Sequence, residues 1–154
     1  MAREYRSDKA NNSPIRNTTK EYLQQVFEIN RLIKTRMEQL NTLKDIATRI
    51  SPHTDSVRVD GSSNRGNMAT TVERIVDLEH MINRDIERMK TVYIEVQDVI
   101  DTVTDSRQKN ILTLRYLCFK KWDEIAEIMC MDKRWVYRLH KKALSSLTIE
   151  SHYL

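Results

Sequence analysis

Between positions 22 and 50 the apolar residues Tyr22, Val26, Ile29, Ile33, Met37, Leu40, Leu43, Ala47 and Ile50 recur at steps of three and four. Only an α-helix brings such a series onto one stripe, because its 3.6-residue turn alternates those two steps. A second series, Ile82, Ile86, Met89, Tyr93, Val96, Ile100 and Val103, keeps the same rhythm and reads as the seam of a coiled coil. With two glycines and two prolines among 154 residues, little in the chain interrupts a helix. The patterns predict an all-α protein: a long antiparallel helical hairpin, coiled-coil-like, followed by further helices toward the C-terminus.

The boundaries follow from local chemistry. Thr18 and Glu21 have capping-box spacing and set the expected start of the first helix, leaving 1–17 as a polar, flexible arm. Ser51-Pro52 closes the helix, since the residue before proline is pushed out of the helical region. The stretch "PHTDSVRVDGSSNRGNM" holds both glycines and predicts a loop over 52–67. Its Arg58 and Arg65 read more readily as solvated cations than as phosphate contacts. Thr70 with Glu73 repeats the box, so the second helix is expected to begin near Asn67 or Thr70. Glu79 falls on the seam and predicts looser packing toward that helix start. Two slender helices bury little core, so their stripes require the C-terminal domain or a second copy of the chain; a homodimer through the hairpin is one expectation.

The C-terminal third changes character. Asp105 and Gln108 again have capping-box spacing, ahead of a helix through Ile111, Leu112, Leu114, Arg115 and Leu117. After "CFKKW", a short helix "DEIAEIM" starts with Asp123 and Glu124 at its positive end. "CMD" then makes a turn, and Asp132 is placed to cap a helix over about 133–146. Short helix, turn and longer helix is the helix-turn-helix plan. Ile125, Ala126 and Met129 are expected to face Val136, Leu139 and Ala143, with Leu147 closing the base. The opposite face carries Lys133, Arg134, Trp135, Tyr137, Arg138, Lys141 and Lys142, with no acidic residue between 133 and 142. A solvated face ordinarily mixes both signs, so a one-sign concentration favours phosphate contact. Arg134 and Arg138, four apart, suit a guanine edge, while Lys133, Lys141 and Lys142 suit phosphates. Tyr137 can donate to phosphate. Trp135 either meets sugar and thymine methyl or covers the base of the short helix, and His140 is expected at the surface. The resulting plan is an arm (1–17), a hairpin (18–103), a helix-turn-helix domain (104–147) and a tail (148–154).

Several function classes are disfavoured. There is no glycine-rich phosphate loop, no HExxH and no nucleophile beside a base in a local motif, so neither an enzyme nor a cofactor is expected. Cys118 and Cys130 lack metal-ligand spacing and read as buried, reduced thiols rather than metal ligands or a disulfide. The N-terminus has no apolar core for a signal peptide, and no apolar run approaches the roughly 18 residues of a membrane span. A soluble, cytoplasmic protein with no membrane partner is expected. The net charge of +4 and pI near 9.1 favour an anionic partner weakly; the distribution of charge carries more weight.

"EIAEIMCMDKRWVYRLHKKALSSL" resembles region 4 of bacterial sigma factors, whose common form is E-I-A-x-x-L-G-V-S-x-x-x-V-x-x-x-x-x-x-A-L-x-x-L. The wider layout, with "VRVDGSSNRGNMATTVERIVDLE", "ILTLRYLCFKKWDEIAEIM" and "WVYRLHKKAL", is similar to phage and prophage proteins that resemble the ArpU and RinA late transcription regulators. The resemblance implies a phage transcription regulator in a bacterial host cell, binding double-stranded DNA through a recognition helix over about 133–146. Cys130 stands where the sigma pattern has glycine, which predicts a strained or reshaped turn, and Asp132 replaces the usual serine cap. Two other readings compete: a small terminase-like protein recognising DNA for packaging, and a coiled-coil adaptor whose sigma-like domain binds RNA polymerase.

Overall fold

The computed structural model describes residues 14–50 and 61–147, with side chains from 19 and from 66 onward in those segments. The regular elements among the described residues are helices, as the periodicities require: α1 (Pro14–Ile50), α2 (Gly61–Asp101), α3 (Ser106–Leu112), α4 (Trp122–Ile128) and α5 (Lys133–Ser146), with one π-helical turn at Thr113–Leu117. None is long and apolar enough to cross a membrane.

Both long helices start earlier than their boxes suggest. α1 begins at Pro14, so 14–17 belong to a helix rather than to the expected arm, and Thr18 lies inside it. Proline suits the first helical turn, because its missing N–H would have had no intrahelical acceptor. α2 begins at Gly61, so the loop expected over 52–67 gives way to helix from 61; residues 51–60, with Arg58, lie outside the described residues, as does the side chain of Arg65. Each helical glycine costs about 1 kcal/mol relative to alanine, which a helix of 41 residues absorbs. Thr70 and Thr71 lie inside this helix and donate back to the carbonyls of Gly66 and Asn67, at 3.0 and 2.8 Å. A threonine four residues past a carbonyl makes that bond in mid-helix as readily as it caps a start.

The chain divides into two compact units, Val26–Glu95 and a second made of Met1–Gln25 with Val96–Leu154. The C-terminal helices therefore share a unit with the start of α1 and the end of α2.

In the unit Val26–Glu95, the two long helices pack antiparallel: Arg36 pairs with Asp85, and Lys44 lies 2.8 Å from Glu79, so numbers rise along α1 as they fall along α2. Val26, Ile29 and Ile33 are buried on α1, and Leu78, Ile82 and Val92 on α2. The rows differ from the expected ones at three places. Met37 is 50% exposed and Arg36 takes its inward place; Ile86 is 36% exposed and Asp85 takes its place; Val92 is more buried than Tyr93. Both choices satisfy three-and-four spacing, so spacing within one helix does not fix the phase; in the structure the Arg36 guanidinium and the Asp85 carboxylate meet in the seam. Glu79 sits beside the seam, paired with Lys44. Leu40, Leu43, Ala47, Ile50 and Ile75 are only half-buried, so packing loosens toward the start of α2.

In the other unit, Ile111, Ile125, Val136 and Leu139 form a cluster that Leu114, Trp122, Ala126, Met129 and Met131 pack against. Tyr22, Leu23, Val96, Ile100, Val103, Leu112, Ala143 and Leu147 are also buried there. Asp105 caps α3, accepting from the N–H groups of Arg107 (2.9 Å) and Gln108 (3.1 Å), while the Gln108 side chain is buried. Beyond the π-helical turn the chain reverses through Phe119 at φ 57°, and Lys120 N–H donates to the Leu114 carbonyl at 2.9 Å. Cys118 and Cys130 are both exposed free thiols, contrary to the expected burial. Each lies in a connector that must turn to the surface, and position in the chain overrides the general preference of cysteine for the interior.

Candidate nucleic-acid interface

Three polar contacts build the α4–α5 segment. Lys121 N–H donates to Glu124 Oε2 at 2.7 Å, which fixes the start of α4 and holds the Glu124 carboxyl below its usual range. Residues 129–132 then turn, closed by Met131 N–H donating to the Ala126 carbonyl at 2.9 Å. Cys130 adopts φ 50°, the left-handed conformation for which glycine is ordinarily chosen; a Cβ there costs on the order of 1 kcal/mol. Asp132 accepts from Arg134 N–H at 2.6 Å and caps α5.

The two faces of α5 are sharply divided. Val136, Leu139, His140, Ala143, Leu144 and the following Leu147 are buried. Lys133, Arg134, Trp135, Tyr137, Arg138, Lys141 and Lys142 are all exposed. Arg134, Arg138 and Lys141 sit at i, i+4 and i+7, one row along the middle of the outward face. Lys142 and Trp135 flank it on one side, and Tyr137 and Lys133 on the other. The seven side chains singled out by sequence thus share the exposed half of one helix, and the stretch between 133 and 142 brings no carboxylate into the row.

The members are not equivalent. Lys133 Nζ lies 2.6 Å from Asp123 Oδ1 on α4, and that bond holds its ammonium pKa above the usual value. Tyr137 is 42% exposed, with its ring against Trp122 at 4.8 Å between centroids. Trp135, 45% exposed, stands in solvent. Trp122 is also met edge-on by His140 at 4.8 Å and covered by the Arg115 guanidinium at 4.6 Å. Arg115 further donates to the Lys120 carbonyl at 3.0 Å.

His140 is not at the surface. It is buried, with Nε2 2.9 Å from the Tyr116 hydroxyl. Burial, reinforced by the positive charges of Lys20 and Arg115, lowers its pKa to about 4, so the imidazole is neutral near pH 7. Burial likewise raises the Tyr116 hydroxyl to about 12 and keeps it protonated. The signal was present in the spacing: position 140 follows Val136 by four and precedes Ala143 by three, which places it on the inward side. Nothing local signalled the Asp123–Lys133 pair or the Arg115–Trp122 stack, because each joins elements brought together only by folding.

The architecture defines an all-helical protein with two long packed helices and a C-terminal unit that presents a cationic helix face. Residues 48–148 match the family described as protein of unknown function, DUF1492, and the chain belongs to that family. Comparison with curated proteins and with solved structures gave no match.

Proposed function

We propose that the chain is a sequence-specific double-stranded DNA-binding protein that regulates phage or prophage transcription, with α4, the 129–132 turn and α5 acting as a helix-turn-helix of the sigma region 4 type. The observation that carries the reading is the row Arg134, Arg138 and Lys141 on the exposed face of α5, opposite a closed apolar face and without an interposed carboxylate. A recognition helix needs that division: one side fixed in the protein, the other free to enter a major groove about 12 Å wide. Arg134 and Arg138 lie nearer the helix start and read base edges, while Lys141 and Lys142 meet phosphates. Trp135 projects beside the row and suits sugar or thymine methyl contact. The chain acts by binding rather than catalysis, and it needs no cofactor for this role.

Binding to a DNA duplex selected for tight binding is expected to weaken steeply with salt. Arg138→Ala is expected to cost about 1 to 3 kcal/mol on the selected duplex and little on a random one, whereas Lys142→Ala weakens both alike and lowers the salt slope by about 0.9. Fluorescence anisotropy across a salt series measures both. Absence of duplex binding, with RNA polymerase retained by the immobilised protein regardless of these substitutions, would instead favour an adaptor.

A further inference from the structure

Among the described residues, Lys133 is the one cation of the α5 outward face held by a carboxylate, the Asp123 side chain at 2.6 Å. The pair joins the first turn of α4 to the first residue of α5, and both side chains reach solvent, at 47% and 75% exposure. A phosphate approaching Lys133 therefore meets a charge already countered, with the carboxylate itself facing the newcomer. It must displace Asp123 and then remain close to an unpaired anion. Either event weakens a contact that carries no sequence information.

We propose that Asp123 is a specificity-determining residue, which holds Lys133 and so withholds one phosphate contact from DNA of any sequence. The proposal rests on the DNA-binding reading above. Sequence-independent affinity opposes discrimination, because a genome offers a vast excess of random sites and only the ratio of specific to random binding selects among them. With Lys133 masked, the free row of Arg134, Arg138 and Lys141 contributes a larger share of the total affinity. The pair leaves Lys133 charged but engaged, so the helix keeps its cationic composition without its full phosphate reach.

The test is a double-mutant cycle on the full chain, read as anisotropy with a fluorescently labelled mixed-sequence DNA duplex over a salt series. Asp123→Asn is expected to tighten binding on the order of tenfold at low salt and to steepen the salt slope by about 0.9, the value of one additional phosphate contact. Lys133→Ala uncovers the Asp123 carboxylate and is expected to weaken binding by the parent about twofold to threefold, whereas adding it to Asp123→Asn is expected to abolish most of that variant's roughly tenfold gain. Thermal melts of all four proteins separate binding from folding. If Asp123→Asn leaves duplex affinity unchanged, or if Lys133→Ala weakens the parent and the Asp123→Asn protein equally, the masking role is wrong while DNA binding stands. If the parent binds no duplex, the DNA-binding reading falls and this inference with it.

Discussion

At the scale of single residues, the buried imidazole of His140 has the clearest thermodynamic consequence. Its folded pKa of about 4 lies below the ordinary value of 6.5. Between those values the unfolded chain binds a proton that the folded chain refuses, so stability falls as pH drops through that window. Above about pH 6.5 the penalty is absent; below about pH 4 it is complete, on the order of 3 kcal/mol for a shift of this size. Asp105 and Glu124 act in the same direction, since both carboxyls are held below their usual range by backbone N–H donors, whose bonds weaken on protonation. The His140 share is isolated by comparison: His140→Leu should unfold in urea with a flatter pH dependence between 7 and 4 than the parent. Equal slopes in the two proteins would show that His140 is not buried as neutral imidazole.

Within the long helices, the Arg36–Asp85 pair joins α1 to α2 across the seam. The side chains retain 27% and 14% exposure, so solvent still screens part of their attraction. Removing one partner leaves a charge facing an apolar seam, and Asp85→Ala should destabilise by about 1 to 3 kcal/mol in urea. Replacing both, as Arg36→Leu with Asp85→Leu, should recover that loss or exceed it, because no charge then requires burial. A double variant less stable than the parent would mean that the pair contributes net stability relative to apolar side chains. The seam also shows where reading by spacing stops. Met37 and Arg36 both fit the three-and-four rhythm of α1, as do Ile86 and Asp85 on α2, and hydropathy favours the apolar choice. The structure turns the ionic row inward, where guanidinium and carboxylate meet across the interface, a contact that neither helix contains alone.

Taken as a whole molecule, the chain separates its charge by unit. Residues 26–95 hold eleven Lys or Arg and eleven Asp or Glu, so the net charge of +4 arises from the segments on either side. Arg84→Ala and Arg88→Ala, both exposed on α2, should therefore leave duplex affinity and its salt slope unchanged. A reduced slope in either would place DNA along the hairpin. The helical class, the Asp105 and Asp132 caps, the inward Val136, Leu139 and Ala143, and the exposed cations of α5 were all legible from sequence. Each follows from contacts within one turn of helix or from a periodicity of a few residues. Tertiary structure alone decided which rows meet in the hairpin, that His140 faces Tyr116, that both cysteines reach solvent, and that Asp123 engages Lys133. Those outcomes depend on which surfaces meet after the chain has turned back, and residues distant in sequence exert no local force by which their partners can be read in advance.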